Sequence, residues 1–155
     1  MTIYILRHGQ AEAQITTDEA RQLTDKGRHD TNRVMQARVA DMAQLTQIWA
    51  SPLVRAQQTA AIAAGYFPGK SIQTTELLVP EANAQALMDW LDEINAQQPG
   101  QSVLLVSHQP LVGALVNMLC GKPDEYYPMG TSSLAAIRAE VVAADMGDLL
   151  WLDHA

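Results

Sequence analysis

Short apolar runs alternate along this chain with longer stretches of helical periodicity, and an alternation of that kind has few ways to bury its apolar faces. Residues 2–6 (TIYIL) form a short, partly β-branched run suited to a buried strand. Residues 102–106 (SVLLV) repeat that signal more clearly, residues 48–50 more briefly and residues 72–75 more weakly. Between them, residues 25–42 carry Val34, Ala37, Val39 and Met42 on a helical repeat behind Thr24, a suitable N-cap. A second helix is expected over 52–64, with Ser51 as N-cap and Pro52 at the first helical position. Leu87, Leu91 and Ile94 mark an amphipathic helix over 84–97, and Pro110 stands at the start of another that runs over 111–119. Residues 133–142 and 148–152 read as closing strands around a turn at 145–148.

Strands alternating with helices predict an α/β fold: a three-layer α/β/α sandwich with a largely parallel central sheet and helices on both faces, to which the last hairpin can add antiparallel edge strands. The 155 residues suit a single domain spanning 1–155, since no repeat, low-complexity tract or Gly/Ser/Pro-rich linker divides them. The lone Cys120 cannot form an intramolecular disulfide, and the opening MTIYILRHGQ lacks the basic and long apolar regions of a signal peptide; a cytoplasmic location is expected. A monomer is the expected state. The uncharged stretch 101–121 contains Ser102, Ser107, His108, Gln109, Pro110 and Asn117, which makes it a poor membrane span. A formal net charge of -7 opposes binding to a nucleic-acid backbone. It leaves room for a small anion gripped by a few well-placed arginines.

Ligands of such sheets bind at the carboxyl ends of the strands, and three strand ends here carry groups that suit a phosphate. Arg7-His8-Gly9 follows the first strand, Ser51 to Arg55 the second, and Ser107-His108 the strand over 102–106. At the first of these, an imidazole stands beside a guanidinium, and a glycine permits close backbone approach to a ligand. Arg55 falls in the first turn of its helix, where backbone N–H groups and the helix dipole reinforce an anion site. A lone arginine is ordinarily a solvated charge, and a lone histidine ordinarily a packing residue. Four of them at three strand ends resist that reading. His29, inside a polar helix, and His154, beside the last residue, are read as surface residues. The histidines and cysteine have no zinc-ligand spacing, and no phosphate-binding glycine loop for a nucleotide occurs, so neither a metal nor a cofactor is expected.

Three segments, Ile5-Leu6-Arg7-His8-Gly9, Ser51-Pro52-Leu53-Val54-Arg55-Ala56-Gln57-Gln58-Thr59-Ala60 and Val106-Ser107-His108-Gln109-Pro110, resemble in order the motifs of the histidine phosphatase (phosphoglycerate mutase-like) superfamily. With the short length and the segment Arg21-Gln22-Leu23-Thr24-Asp25-Lys26-Gly27, the chain looks like a SixA-type phosphohistidine phosphatase from Thr2 to about Leu152. The resemblance implies a hydrolase in which His8 attacks phosphorus and a phosphohistidine enzyme is then hydrolysed by water. Arg7, Arg55 and His108 would surround the phosphoryl group, with Gln109 N–H adding a donor and Arg21 helping to hold phosphate or protein substrate. The implied partner is a phosphorylated protein, a histidine-containing phosphotransfer domain of a sensor kinase.

Larger relatives carry a carboxylic acid, in an insertion between the second and last motifs, that protonates an alkoxide leaving group. Here that stretch is short, and Glu81 is the nearest candidate; the plainer role for it is an interaction with the N-terminus of the helix over 84–97. A phosphohistidine needs less help to leave, which suits a missing acid. The alternatives are a small-molecule phosphomonoesterase that depends on an acid such as Glu81, and a non-catalytic phosphohistidine-binding module. His8 must be neutral to attack, a state the surrounding arginines are expected to favour.

Overall fold

The computed structural model describes residues 1–122 and 127–155. Its strands are β1 (Thr2–Arg7), β2 (Gln47–Ala50), β3 (Ile72–Thr74), β4 (Ser102–Ser107), β5 (Leu134–Ala139) and β6 (Gly147–Asp153). The helices are α1 (Asp25–Arg38), α2 (Val54–Ala64), α3 (Ala84–Gln97) and α4 (Leu111–Leu119). One six-stranded sheet runs in the order β3-β2-β4-β1-β5-β6. The β1, β2, β3 and β4 strands are parallel, and β5 and β6 join as an antiparallel pair beyond β1. The sheet is therefore mixed, with the closing hairpin at its edge.

Alternation along the strands divides the core into two layers. Ile3, Ile5, Val103, Leu105, Ala135 and Ile137 pack with Leu87, Met88 and Leu91 of α3 and with Leu111, Val112, Leu115 and Val116 of α4. Tyr4, Leu6, Leu104, Val106, Leu134 and Ala136 face the other way, onto Val34 and Met35 of α1 and Ala56, Ala60 and Ala63 of α2. Strands buried on both faces need the continuous apolar runs that β1 and β4 show. No helix among the described residues is long and apolar enough to cross a membrane.

Several boundaries differ from the sequence expectations. The first helix stops at Arg38, and a 3-10 turn (Val39–Met42) continues to where a helix was expected. There Arg38 is drawn away into ion pairs with Asp41 and, across the fold, with Asp153 of β6. Helix α2 begins at Val54, not Pro52, and its N-cap is Leu53 rather than Ser51, whose hydroxyl is bonded to His108 instead. Pro110 precedes α4 as its cap. Strand β5 spans less than the expected 133–142, because the chain turns after Ala139 toward Asp145, which takes a left-handed backbone with φ 63°.

The first turn of α1 is pressed against the end of β1. Thr24 caps the helix, its hydroxyl accepting from Gly27 N–H at 3.0 Å. A Cβ on Gly9 would lie 2.7 Å from the Gly27 carbonyl oxygen and 2.9 Å from Thr31 Oγ1, and a Cβ on Gly27 would collide with the Gln10 backbone. Helix α1 is thus a close neighbour that itself requires glycine at position 9. Replacing a helical glycine by alanine ordinarily stabilises by about 0.5–1 kcal/mol. Gly27→Ala is expected to reverse that sign, at a cost of about 1–3 kcal/mol, because the methyl meets backbone that cannot rotate away. Urea denaturation of the variant measures it.

Candidate active site

The register of the parallel strands sets three chain ends side by side. Arg7 is paired with Ser107 across β1 and β4, and Ala50 with Val106 across β2 and β4. Beyond the strand ends, His8 N–H donates to Ser107 O at 3.0 Å, and Ser51 N–H to Val106 O at 3.1 Å. His8, Ser51 and His108 are each buried there. The His8 and His108 rings stand 5.0 Å apart, tilted by 53°.

Backbone contacts fix the orientation of His8. Its Nδ1 lies 2.7 Å from Gly9 O, a pure acceptor, so the Nδ1 proton is engaged and Nε2 carries the lone pair. Arg55 Nε–H points at that nitrogen over 3.4 Å, long for such a bond. Gly9 N–H donates to Thr59 Oγ1, which in turn donates to Arg55 O, so α2 holds both residues from behind. Ser132, with φ 61°, directs its N–H to both Arg7 O and His8 O. The His8 pKa is pushed down to about 4, first by burial and then, against the Gly9 hydrogen bond, by Arg55, Arg7 and Arg21. His8 is neutral, and removal from water contributes more to that than any one of the arginines does.

His108 is more deeply buried, and its pKa is pushed down to about 3 by burial, with His8 and Arg55 next. Its Nε2 shares a hydrogen bond of 2.8 Å with Ser51 Oγ, which also accepts Leu53 N–H at 3.3 Å. The Nδ1 of His108 is buried without a protein hydrogen-bond partner among the described residues.

The two buried-site arginines are differently held. Arg7 Nη1 donates to Met129 O at 2.9 Å. Arg55, 4% exposed, donates from Nη1 to Asp18 O at 2.8 Å and from Nη2 to the Asp18 carboxylate at 3.1 Å. Arg21 meets the other oxygen of the same carboxylate at 3.1 Å and donates from Nε to Glu12 O at 2.8 Å. The Arg21 hydrogen bond, together with the field of Arg55, holds the Asp18 carboxyl below the usual carboxylate range. The structure thus brings Arg7, His8, Arg55 and His108 together, with Arg21 one carboxylate away. Both ends of the Gln109 side chain are occupied, by Gly113 N–H and by Met129 O, so what it offers a ligand is its backbone N–H.

Glu81 is exposed, and Asn83, not Glu81, caps α3 by accepting Ala86 N–H. His29 and His154 are exposed, although His154 Nδ1 reaches Ser133 Oγ at 2.7 Å. Asp18 has no place in the sequence expectations, and Ser51, inside the segment 51–55 expected to suit a phosphate, is expected there only as an N-cap and not as the partner of His108. Ser51 has the same sequence appearance as an N-cap serine, and Asp18 lies in a segment without periodicity whose only clue is an arginine three residues on.

Residues 3–83 match the model of the histidine phosphatase superfamily (branch 1). The chain is 33% identical to the phosphohistidine phosphatase SixA homolog of Haemophilus influenzae, over 86% of this chain and 87% of that protein. It is 30% identical to phosphohistidine phosphatase SixA of Escherichia coli, over 88% of this chain and 83% of that one. A structure of the protein histidine phosphatase SixA complexed with tungstate superposes with a TM-score of 0.85 at 29% identity, covering 98% of this chain and 96% of that one.

Proposed function

The chain belongs to the histidine phosphatase superfamily, branch 1, and from that premise we propose that it is a phosphohistidine phosphatase that dephosphorylates a histidine on another protein, with His8 as nucleophile. The observation that carries the reading is the state of His8, a buried neutral imidazole whose Nδ1 proton is engaged by Gly9 and whose Nε2 faces Arg55. Nε2 forms a bond to phosphorus as the bond from phosphorus to the departing imidazole breaks. That electron pair leaves with the departing nitrogen, which takes a proton from solvent water. Water then adds to phosphorus and gives up a proton to solvent, the electron pair of the bond to His8 returns to Nε2, and phosphate is released.

Phosphoryl transfer asks for positioning and for charge matched to the equatorial oxygens, which Arg7 and Arg55 supply. The neutral His108, its Nε2 bonded to the Ser51 hydroxyl, stands beside His8 as a further polar group for the phosphoryl oxygens. Gln109 adds its backbone N–H, and Arg21 meets the outer face of the phosphate. The carboxylate at this site, Asp18, is held ionised by two arginines and cannot protonate an alkoxide at neutral pH. A labile P–N bond tolerates that and a phosphate ester does not, which favours phosphohistidine. The names of the relatives in Haemophilus influenzae and Escherichia coli support the same substrate class. The partner on this reading is a histidine-containing phosphotransfer domain of a sensor kinase.

The test sets a phosphorylated phosphotransfer domain against a sugar phosphate, each with the wild type and Glu81→Gln. Phosphate release from the domain, changed less than about twofold by Glu81→Gln as for an ordinary surface position, is expected. Efficient hydrolysis of the sugar phosphate that Glu81→Gln abolishes would make the chain a metabolite phosphatase instead.

The pH profile is a separate expectation. A nucleophilic imidazole is active only when unprotonated, and the His8 pKa is pushed down to about 4, so protonation removes activity only below that value. Once spontaneous hydrolysis and the substrate's own phosphate and imidazole titrations are corrected for, kcat/KM should be flat from neutral pH to about one unit above it. A break near the ordinary histidine value of about 6.5 would contradict the burial account.

A further inference from the structure

We propose that Asp18 is a resident competing anion, whose carboxylate occupies the arginines that phosphate must grip and so speeds the departure of the product. The Nε and Nη2 groups of a guanidinium form the edge that binds two oxygens of one anion. On that edge Arg55 has Nε 3.4 Å from His8 Nε2 and Nη2 3.1 Å from Asp18 Oδ2. A phosphoryl group seated on His8 would take up both donors, and Asp18 holds one of them. The second carboxylate oxygen of Asp18 takes Arg21 Nη1 at 3.1 Å, so a single carboxylate spans both guanidiniums.

Three features make this carboxylate displaceable. Its side chain keeps 43% of its surface exposed, so water can solvate it once it lets go. It sits on a single 3-10 turn, Asp18–Ala20, whose backbone bonds from Ala20 N–H and Arg21 N–H are both 3.3 Å. It carries one negative charge, whereas phosphate near neutral pH carries between one and two. The dianion therefore wins the arginines on arrival, and Asp18 recaptures them as the product leaves. The inference rests on the proposed reading only in taking Arg55 and Arg21 as phosphate ligands.

Isothermal titration of inorganic phosphate into the wild type, Asp18→Asn and Asp18→Ala tests it without any phosphohistidine substrate. Removing a competitor tightens binding, so both variants should bind phosphate roughly three- to tenfold more strongly, with product inhibition shifted by the same factor. A carboxylate that merely props the arginines in place would give the opposite sign. Unchanged or weaker phosphate binding by either folded variant overturns the inference while leaving the phosphatase reading intact. Absence of phosphate binding by the wild type and both variants overturns the phosphate site and the inference with it.

Discussion

His8→Ala should lower the rate of phosphate release by a factor on the order of 10^4 to 10^6, the loss expected when the nucleophile of a covalent mechanism is removed. The loss falls on bond making, because the side chains around the phosphate are anchored independently of the imidazole. Arg7 is held by Met129 O, Arg55 by Asp18, and His108 by Ser51. Phosphate affinity should accordingly change little. A pure binding module makes a different prediction, since its function survives the substitution whenever affinity does. Single-turnover release and phosphate titration on the same preparation separate the two. Retention of a tenth or more of the wild-type rate would remove His8 from the mechanism.

Arg55→Ala should be the next most damaging change, with kcat/KM reduced about 10^2- to 10^3-fold, the scale of losing one preorganised donor to transition-state charge. Arg55→Lys should recover little of this, because an ammonium cannot present Nε and Nη2 side by side to one anion. The substitution has a second signature. Arg55 is one of the cations that lower the His8 pKa, so its removal raises that pKa and moves the acid limb of the rate profile to higher pH. In the lysine variant the charge persists and the limb should move less. A rate loss without movement of the limb would place Arg55 outside the field felt by His8. The fold should survive either change, since Asp18 keeps its bond to Arg21.

Both results depend on parts of the molecule that were unequally legible in the sequence. Strands β1 and β4 were readable because a strand buried on both faces must be apolar throughout, and their ends then located Arg7, His8 and His108. Helix α3 showed a clean apolar stripe because its other face meets solvent. Elsewhere the local signal was overruled by tertiary contacts. Ser51 looks like a helix cap but supports His108, and residues beyond Arg38 keep a helical repeat while Arg38 itself is claimed by Asp153. Gly9 was readable as a position of close approach, but only the packed fold shows that α1 is what approaches. Asp18, Met129 and Ser132 left no usable pattern. Two of them act through backbone atoms, and Asp18 lies on a turn too short to have a period.

A phosphorus–nitrogen bond formed at His8 leaves a labelled enzyme that a rapid, acid-free quench can trap. Wild type and His8→Ala are mixed with a phosphotransfer domain carrying radiolabelled phosphohistidine, and label is followed on protein by alkaline gel and in solution as phosphate. Transient, alkali-stable label is expected on the wild type at His8, followed by free phosphate, with neither from the variant. Label on a different residue, or phosphate released at an undiminished rate by His8→Ala, would contradict a phosphorus–nitrogen bond at His8.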